Sequence, residues 1–314
     1  IPVRGTVTDD YTIEPVTWFD AEIVHAMPGE DQEQSELLKR EFPLKAGGVA
    51  EDALDFRELR SEQDAFELRP KDKIMLAVKA ADKYDLGDQP NEGSGDRYQL
   101  DVVTPDTLLA MLESREIGLR RRFEQIVNEM TQARDFLVRV RSASPTAGAE
   151  PGDVPDGGEE PGDEQLDERK VAERTQSLRL LRVQQELQQI RKSEQELLGV
   201  AASFLDIREE IINNRVDTED RKRRLKELIA DPMQLIGETM FPELERRCEV
   251  LEKVLLDDLN ANRYDLDSGE QEVQEAVVQA NDILAELDEI LQQMLDLETF
   301  NELLDIVRQL VEDQ

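Results

Sequence analysis

Among 314 residues there is one histidine, His25, and one cysteine, Cys248. That scarcity limits the chemistry. A structural zinc takes about four Cys or His ligands, and a catalytic thiolate needs a base beside it. A Ser-His-Asp relay would have to use His25, and no G-x-S-x-G motif accompanies it. P-loop and dinucleotide-binding glycine patterns are equally missing from the sequence. His25, near the end of a predicted strand, therefore reads as a strand-edge histidine. Cys248 falls within an apolar helical stripe and reads as a buried, inert thiol.

Carboxylates are abundant, which weakens any particular pair. The best cluster joins Asp9 and Asp10 of "TDDY" to Asp82 and Asp85 of "AADKYD", all at the ends of predicted strands. An oxygen-rich pole of that kind suits calcium. Turn-forming aspartates explain the same pattern without a metal, and that reading is preferred. No other metal and no cofactor is expected. Trp18 lies opposite Phe19, Ala21 and Ile23, beside Asp20 and Glu22. In that register it is partly exposed and a candidate contact for a partner, whereas a one-residue slip would bury it, and the buried reading is preferred.

The formal net charge is −35. Such a field repels nucleic acid and anionic membrane surfaces, so neither is an expected partner. The basic runs Arg120–Arg122 and Arg221–Arg224 sit beside Glu116, Glu124, Glu219 and Asp220, at spacings that allow pairing along a helix. No stretch approaches the roughly 18 apolar residues that a membrane-spanning helix needs. The opening "IPVRGTVTDD" is already in strand pattern, and the closing "LVEDQ" follows an apolar helical stripe directly. Both ends read as cut from something longer, so membrane contact would come only through segments outside this chain.

The elements that must position these residues fall into three regions. Residues 1–104 carry period-2 patterns: Ile1, Val3, Gly5 and Val7; Phe19, Ala21 and Ile23; Phe66 and Leu68; Ile74, Leu76, Val78 and Ala80; Tyr98, Leu100 and Val102. Turns are predicted at 69–72 and 87–95, and further strands near 35–44 and 52–57. Seven short strands in about 100 residues predict a β sandwich of the immunoglobulin or fibronectin-III kind.

At "VVTPDTLL" the period changes. Thr104 can cap a helix, and Pro105 suits its first turn. From Leu109 a 3-4 spacing runs through Leu112, Glu116, Leu119, Phe123, Ile126, Met130, Ala133 and Leu137 to Val140. That is a coiled-coil seam with one charged residue in it. Residues 142–165 hold four Pro, five Gly and seven acids, the composition of a disordered acidic linker. The 3-4 spacing then resumes at Leu180, Val183, Leu187, Ile190, Glu194, Leu197, Ala201, Phe204, Arg208 and Ile211.

Residues 105–216 are thus expected to form a long antiparallel hairpin, with a dimeric coiled coil as the alternative. Folding back with Val140 near Leu180 makes facing residue numbers total about 320. The charged misfits Glu116 and Arg208, of opposite sign, are then expected to approach each other across the seam.

Residues 217–314 read as shorter amphipathic helices. Pro232 and Pro242 are expected to break or kink the path. Ser268 with Gln271 and Thr299 with Glu302 resemble capping boxes opening further helices.

Two stretches carry a family likeness. Residues Glu67–Ile126, "ELRPKDKIMLAVKAADKYDLGDQPNEGSGDRYQLDVVTPDTLLAMLESREIGLRRRFEQI", resemble large uncharacterised envelope proteins of planctomycete-type bacteria. "RVQQELQQIRKSEQELLGVAASFLDIREEIINNRV" (Arg182–Val216) looks like the second rod helix of the same family. The resemblance implies a membrane-anchored protein with Ig-like domains and a long charged helical segment, and a place in the cell envelope outside the inner membrane. It carries no activity and no functional residues. The expected function is a non-enzymatic structural or interaction module with protein partners. A cytoplasmic coiled-coil adaptor and a carboxylate-dependent envelope hydrolase subunit are the alternatives.

Overall fold

In the computed structural model the described residues are 1–8, 16–25, 34–45, 48–56, 58, 68–81, 91–142, 163–216, 218–263 and 267–312. The backbone alone is described at 34, 141–142, 163–168 and 296–312. The chain divides into two compact units, Ile1–Leu112 and Glu113–Gln314. An antiparallel β region is followed by a helical one.

Seven strands are described in the first unit: β1 (Pro2–Thr6), β2 (Val16–His25), β3 (Gln34–Phe42), β4 (Val49–Ala53), β5 (Lys73–Ala81), β6 (Glu92–Ser94) and β7 (Tyr98–Asp101). β3, β2 and β5 lie side by side, and β6 and β7 both pair with β5, so one sheet has five strands. β1 and β4 form a second, two-stranded sheet. The alternation read from the sequence places the core. Phe19, Ala21 and Ile23 of β2 stand opposite Val78, Leu76 and Ile74 of β5. This face shares one hydrophobic cluster with Ala50 of β4 and Leu54. The Phe19 and Phe42 rings lie 4.6 Å apart, and Val3 of β1, with Ile1 just before that strand, packs against the cluster. Burying a side chain of this size contributes about 1.5–3 kcal/mol.

Two strand positions differ from expectation. β6 lies inside the predicted turn 87–95, because Glu92–Ser94 finds an unpaired edge at Lys79–Ala81. β4 begins earlier than expected, at Val49, where Gly48 with φ +76° turns the chain and its carbonyl accepts from the Val7 amide. Of the predicted strand at Phe66 and Leu68, Phe66 lies outside the described residues. Leu68 belongs to no strand but packs against the core.

The helical region comprises α1 (Pro105–Ser142), α2 (Asp163–Asn213), a path from Glu219 to Asn260, and α6 (Glu270–Glu312). Thr104 caps α1 as predicted, its Oγ1 accepting from the Thr107 amide at 3.2 Å. The middle path consists of α3 (Glu219–Arg223), the π-helical turn π1 (Arg224–Ala230), α4 (Asp231–Leu235), π2 (Ile236–Met240) and α5 (Phe241–Asn260).

Of the break or kink expected at Pro232 and Pro242, the break does not occur. Asp231 donates its amide to the Lys226 carbonyl, and Phe241 donates to Ile236, one residue wider than an α-helical bond. Widening the ladder just before Pro232 and Pro242 gives each ring room and absorbs its missing N–H. Both residues preceding a proline keep right-handed helical angles.

The second capping box is also overturned. Thr299 lies within α6, which runs unbroken to Glu312. Ser268 does precede a helix start, but its hydroxyl donates to Asp258 on α5 instead. Gly269, at φ +78°, makes the turn. Among the described residues no helix is long and apolar enough to cross a membrane.

Candidate functional site

The features that stand out in the helical unit are charged side chains at positions where the helices should be dry. The helices meet in fixed registers. Arg115 on α1 bonds Glu210 on α2 at 2.5 Å, and Glu129 accepts from Gln189 at 2.7 Å and from Ser193 at 3.1 Å. Residue numbers in these pairs total 318 to 325, so α1 and α2 run antiparallel in the register the sequence predicts. Between α2 and α5, Gln184 meets Glu252 and Arg191 meets both Glu245 and Glu249. Between α5 and α6, Arg247 meets Glu275 at 2.6 Å. Each antiparallel neighbour pair is therefore tied by ions as well as by its apolar stripe.

Glu116 is the first misfit. It is buried, and Arg221 of α3 reaches it at 2.8 Å while also lying 3.6 Å from Glu113. Burial pushes the Glu116 carboxyl up, opposed by the charge and hydrogen bond of Arg221. The expected partner, Arg208, is not there; its guanidinium lies 3.2 Å from Glu209 on its own helix. The α1–α2 register agrees with expectation and the pairing does not. A third helix brings a competing arginine to Glu116, and pairwise reasoning about two helices cannot anticipate it.

Glu194 is the second misfit. Half-buried, it shares its surroundings with Glu245 across the α2–α5 seam. Its carboxyl is pushed up to about 7, first by burial, then by the hydrogen bond and charge of Glu245, with Arg191 opposing. Arg191 donates to Glu245 at 3.0 Å, so a cation, a carboxylate and a protonatable carboxyl occupy one level of the seam. Nearby on α5, Cys248 is buried as expected, and its thiol is pushed up to about 12 by burial and by Glu186, Glu245 and Glu249. Such a thiol is no nucleophile at neutral pH.

The remaining predicted residues fall as follows. Asp9, Asp10, Asp82 and Asp85 lie outside the described residues. Among the described residues no group of three or more His, Cys, Asp or Glu could hold a metal ion. Trp18 is buried at 4% exposure, so it is not the open contact that its register implied. No slip occurred, since Phe19, Ala21 and Ile23 still face the core. The ring is instead covered on its own face, with the Lys39 ammonium 3.8 Å from its centroid. His25 hydrogen-bonds through Nδ1 to Asp72 at 2.9 Å, and Nε2 lies 3.8 Å from Glu36. Asp72 also accepts from the Arg69 amide at 2.8 Å, so this histidine braces a turn.

Sequence reasoning missed Glu245 and Asp258, and it read the Arg221–Arg224 run as paired along its own helix, not across to Glu116. Glu245 lies within a charge-rich stretch and carries no spacing signal. Asp258 is buried, bonds Ser268 and is met by Arg263 at 2.9 Å; its only mark in the sequence is its place three residues after the stripe residue Leu255. No family model, curated protein or solved structure matches this chain.

Proposed function

We propose that this chain is a non-enzymatic structural and interaction module of a bacterial cell-envelope protein, an Ig- or fibronectin-III-like β-sandwich domain carried on a coiled-coil-like helical segment. The observation that carries this reading is the set of ion pairs joining neighbouring helices at several levels. Arg115–Glu210, Arg191–Glu245 and Arg247–Glu275 each join two different helices. Exposed pairs of this kind add only about 0.2–1 kcal/mol each, so they do more for register than for stability. A helical segment held in one register suits a spacer that must present a domain in a fixed way. The shared core of the two sheets supports the sandwich, and the exposed apolar residues Leu37 and Tyr98 give the β unit surface for a protein contact. The envelope location rests on the family resemblance.

The test uses the full-length protein in its own cells, with a photo-crosslinking residue at position 37 or 98 and fractionation of the cells. The reading expects an envelope fraction and a defined protein crosslinked through one of those positions. A cytosolic location would favour the adaptor alternative and overturn the envelope assignment. Turnover of an envelope polymer by the purified chain would overturn the non-enzymatic reading.

A further inference from the structure

Arg208 breaks the apolar stripe of α2 without meeting the acid expected to neutralise it, and what it meets instead is a cavity. A cleft of about 300 Å3 lies between the end of α2 and the start of the next helical path, lined by four cations: Arg208, Lys222, Arg223 and Lys226. Glu219, Asp220 and Glu227 also line it. In a chain of net charge −35, a cavity with more cations than acids runs against the composition.

The charges are not evenly placed. The side chains of Lys222 and Arg208 are 19% and 25% exposed, whereas those of Glu219 and Asp220 are 91% and 86% exposed. The two best-recessed charges are therefore positive, and two of the three acids stand in water, where screening weakens them. Among the described residues, the ion pairs Lys222–Glu219, Arg223–Asp220, Arg208–Glu209 and Lys226–Asp231 each stay on one helical path. The Nε of Arg208 is buried and has no hydrogen-bond partner. The wall bearing Lys226 is the π turn π1, and π turns recur at functional sites.

We propose that this cleft binds a small oxyanionic group, a phosphate or a carboxylate, held by the guanidinium of Arg208 and the ammonium of Lys222. The planar fork of arginine matches both groups through two parallel N–H···O bonds, and Lys222 adds a recessed point charge. The volume sits at the lower end for small-molecule sites, which favours a compact ligand. This site is independent of the interaction-module reading and goes beyond it.

The test titrates the intact chain at constant ionic strength with inorganic pyrophosphate in one arm and tricarballylate in the other. Calorimetry and the Arg208 Nε–H resonance are the readouts. Saturable binding in at least one arm, with the Nε–H resonance moving, is expected, and the arm that saturates identifies the phosphate or the carboxylate source. Arg208→Leu restores an apolar residue to the stripe. It is expected to melt no lower than the parent yet bind about tenfold or more weakly, the loss of one charge-assisted contact. Lys222→Gln, at a position outside the apolar stripe, should also weaken binding and serves if Arg208→Leu does not fold. A linear, unsaturable response in both arms overturns the proposal. So does binding left intact in both variants.

Discussion

Replacing Glu194 with glutamine isolates the protonatable pair in the α2–α5 seam. The Glu194 carboxyl is raised from an ordinary 4.5 to about 7, by burial first and then by Glu245. A raised acid binds its proton more tightly in the folded chain than in the unfolded one. Its contribution is therefore favourable at low pH and is lost as pH rises from the unfolded value toward the folded one. At about 1.4 kcal/mol per pH unit, the full shift corresponds to roughly 3 kcal/mol. Glu194 is only half-buried, and water reaching it reduces this to about 1–2 kcal/mol. Arg191 lies beside the pair and opposes the shift, and Glu249 and Glu252 act on Arg191 in turn.

Urea unfolding of the parent and of Glu194→Gln at a series of pH values from about 5 to 8 measures the difference directly. Subtracting the two curves cancels carboxyls common to both. The stability of Glu194→Gln relative to the parent should grow by about 1–2 kcal/mol across that window and level off above it. A difference that stays constant with pH, or that shrinks as pH rises, would refute the reasoning. Either result would mean that the Glu194 carboxyl is not raised in the folded chain.

Three further outcomes follow from single contacts. Arg221→Met leaves Glu116 buried without its cation and should cost about 3–5 kcal/mol in chemical unfolding, while adding Glu116→Leu should recover most of that loss. Gly48→Ala would place a Cβ 2.3 Å from the Val7 carbonyl oxygen at φ +76°, and should cost on the order of 2–3 kcal/mol in thermal unfolding. Cys248, with its thiol near pKa 12, should resist a maleimide in the folded chain at neutral pH and react promptly once urea unfolds it, as mass spectrometry would show.

Much of this molecule was legible residue by residue. The faces of β2 and β5 followed from alternation, because a pleated strand sends every second side chain to one side. The α1–α2 register followed from where two apolar stripes end, and the burial of Cys248 from its place in a third. These are local periodicities, and the physics that sets them acts within a few residues of chain. The composition likewise set the strongly acidic field before any fold was known.

What the sequence left open depended on neighbours from elsewhere in the chain. Trp18 is covered on a face that alternation assigns to solvent, and the ammonium of Lys39 from the next strand contributes to that cover. Pro232 and Pro242 are carried through a helix because π turns beside them absorb the missing amide, while packing against α2 and α6 holds the path together. Glu116 found Arg221 and not Arg208, since a third helix reached it first. Local propensity is worth tenths of a kcal/mol to about 1 kcal/mol per residue, and burial several times that. Where the two disagree, the tertiary contacts decide.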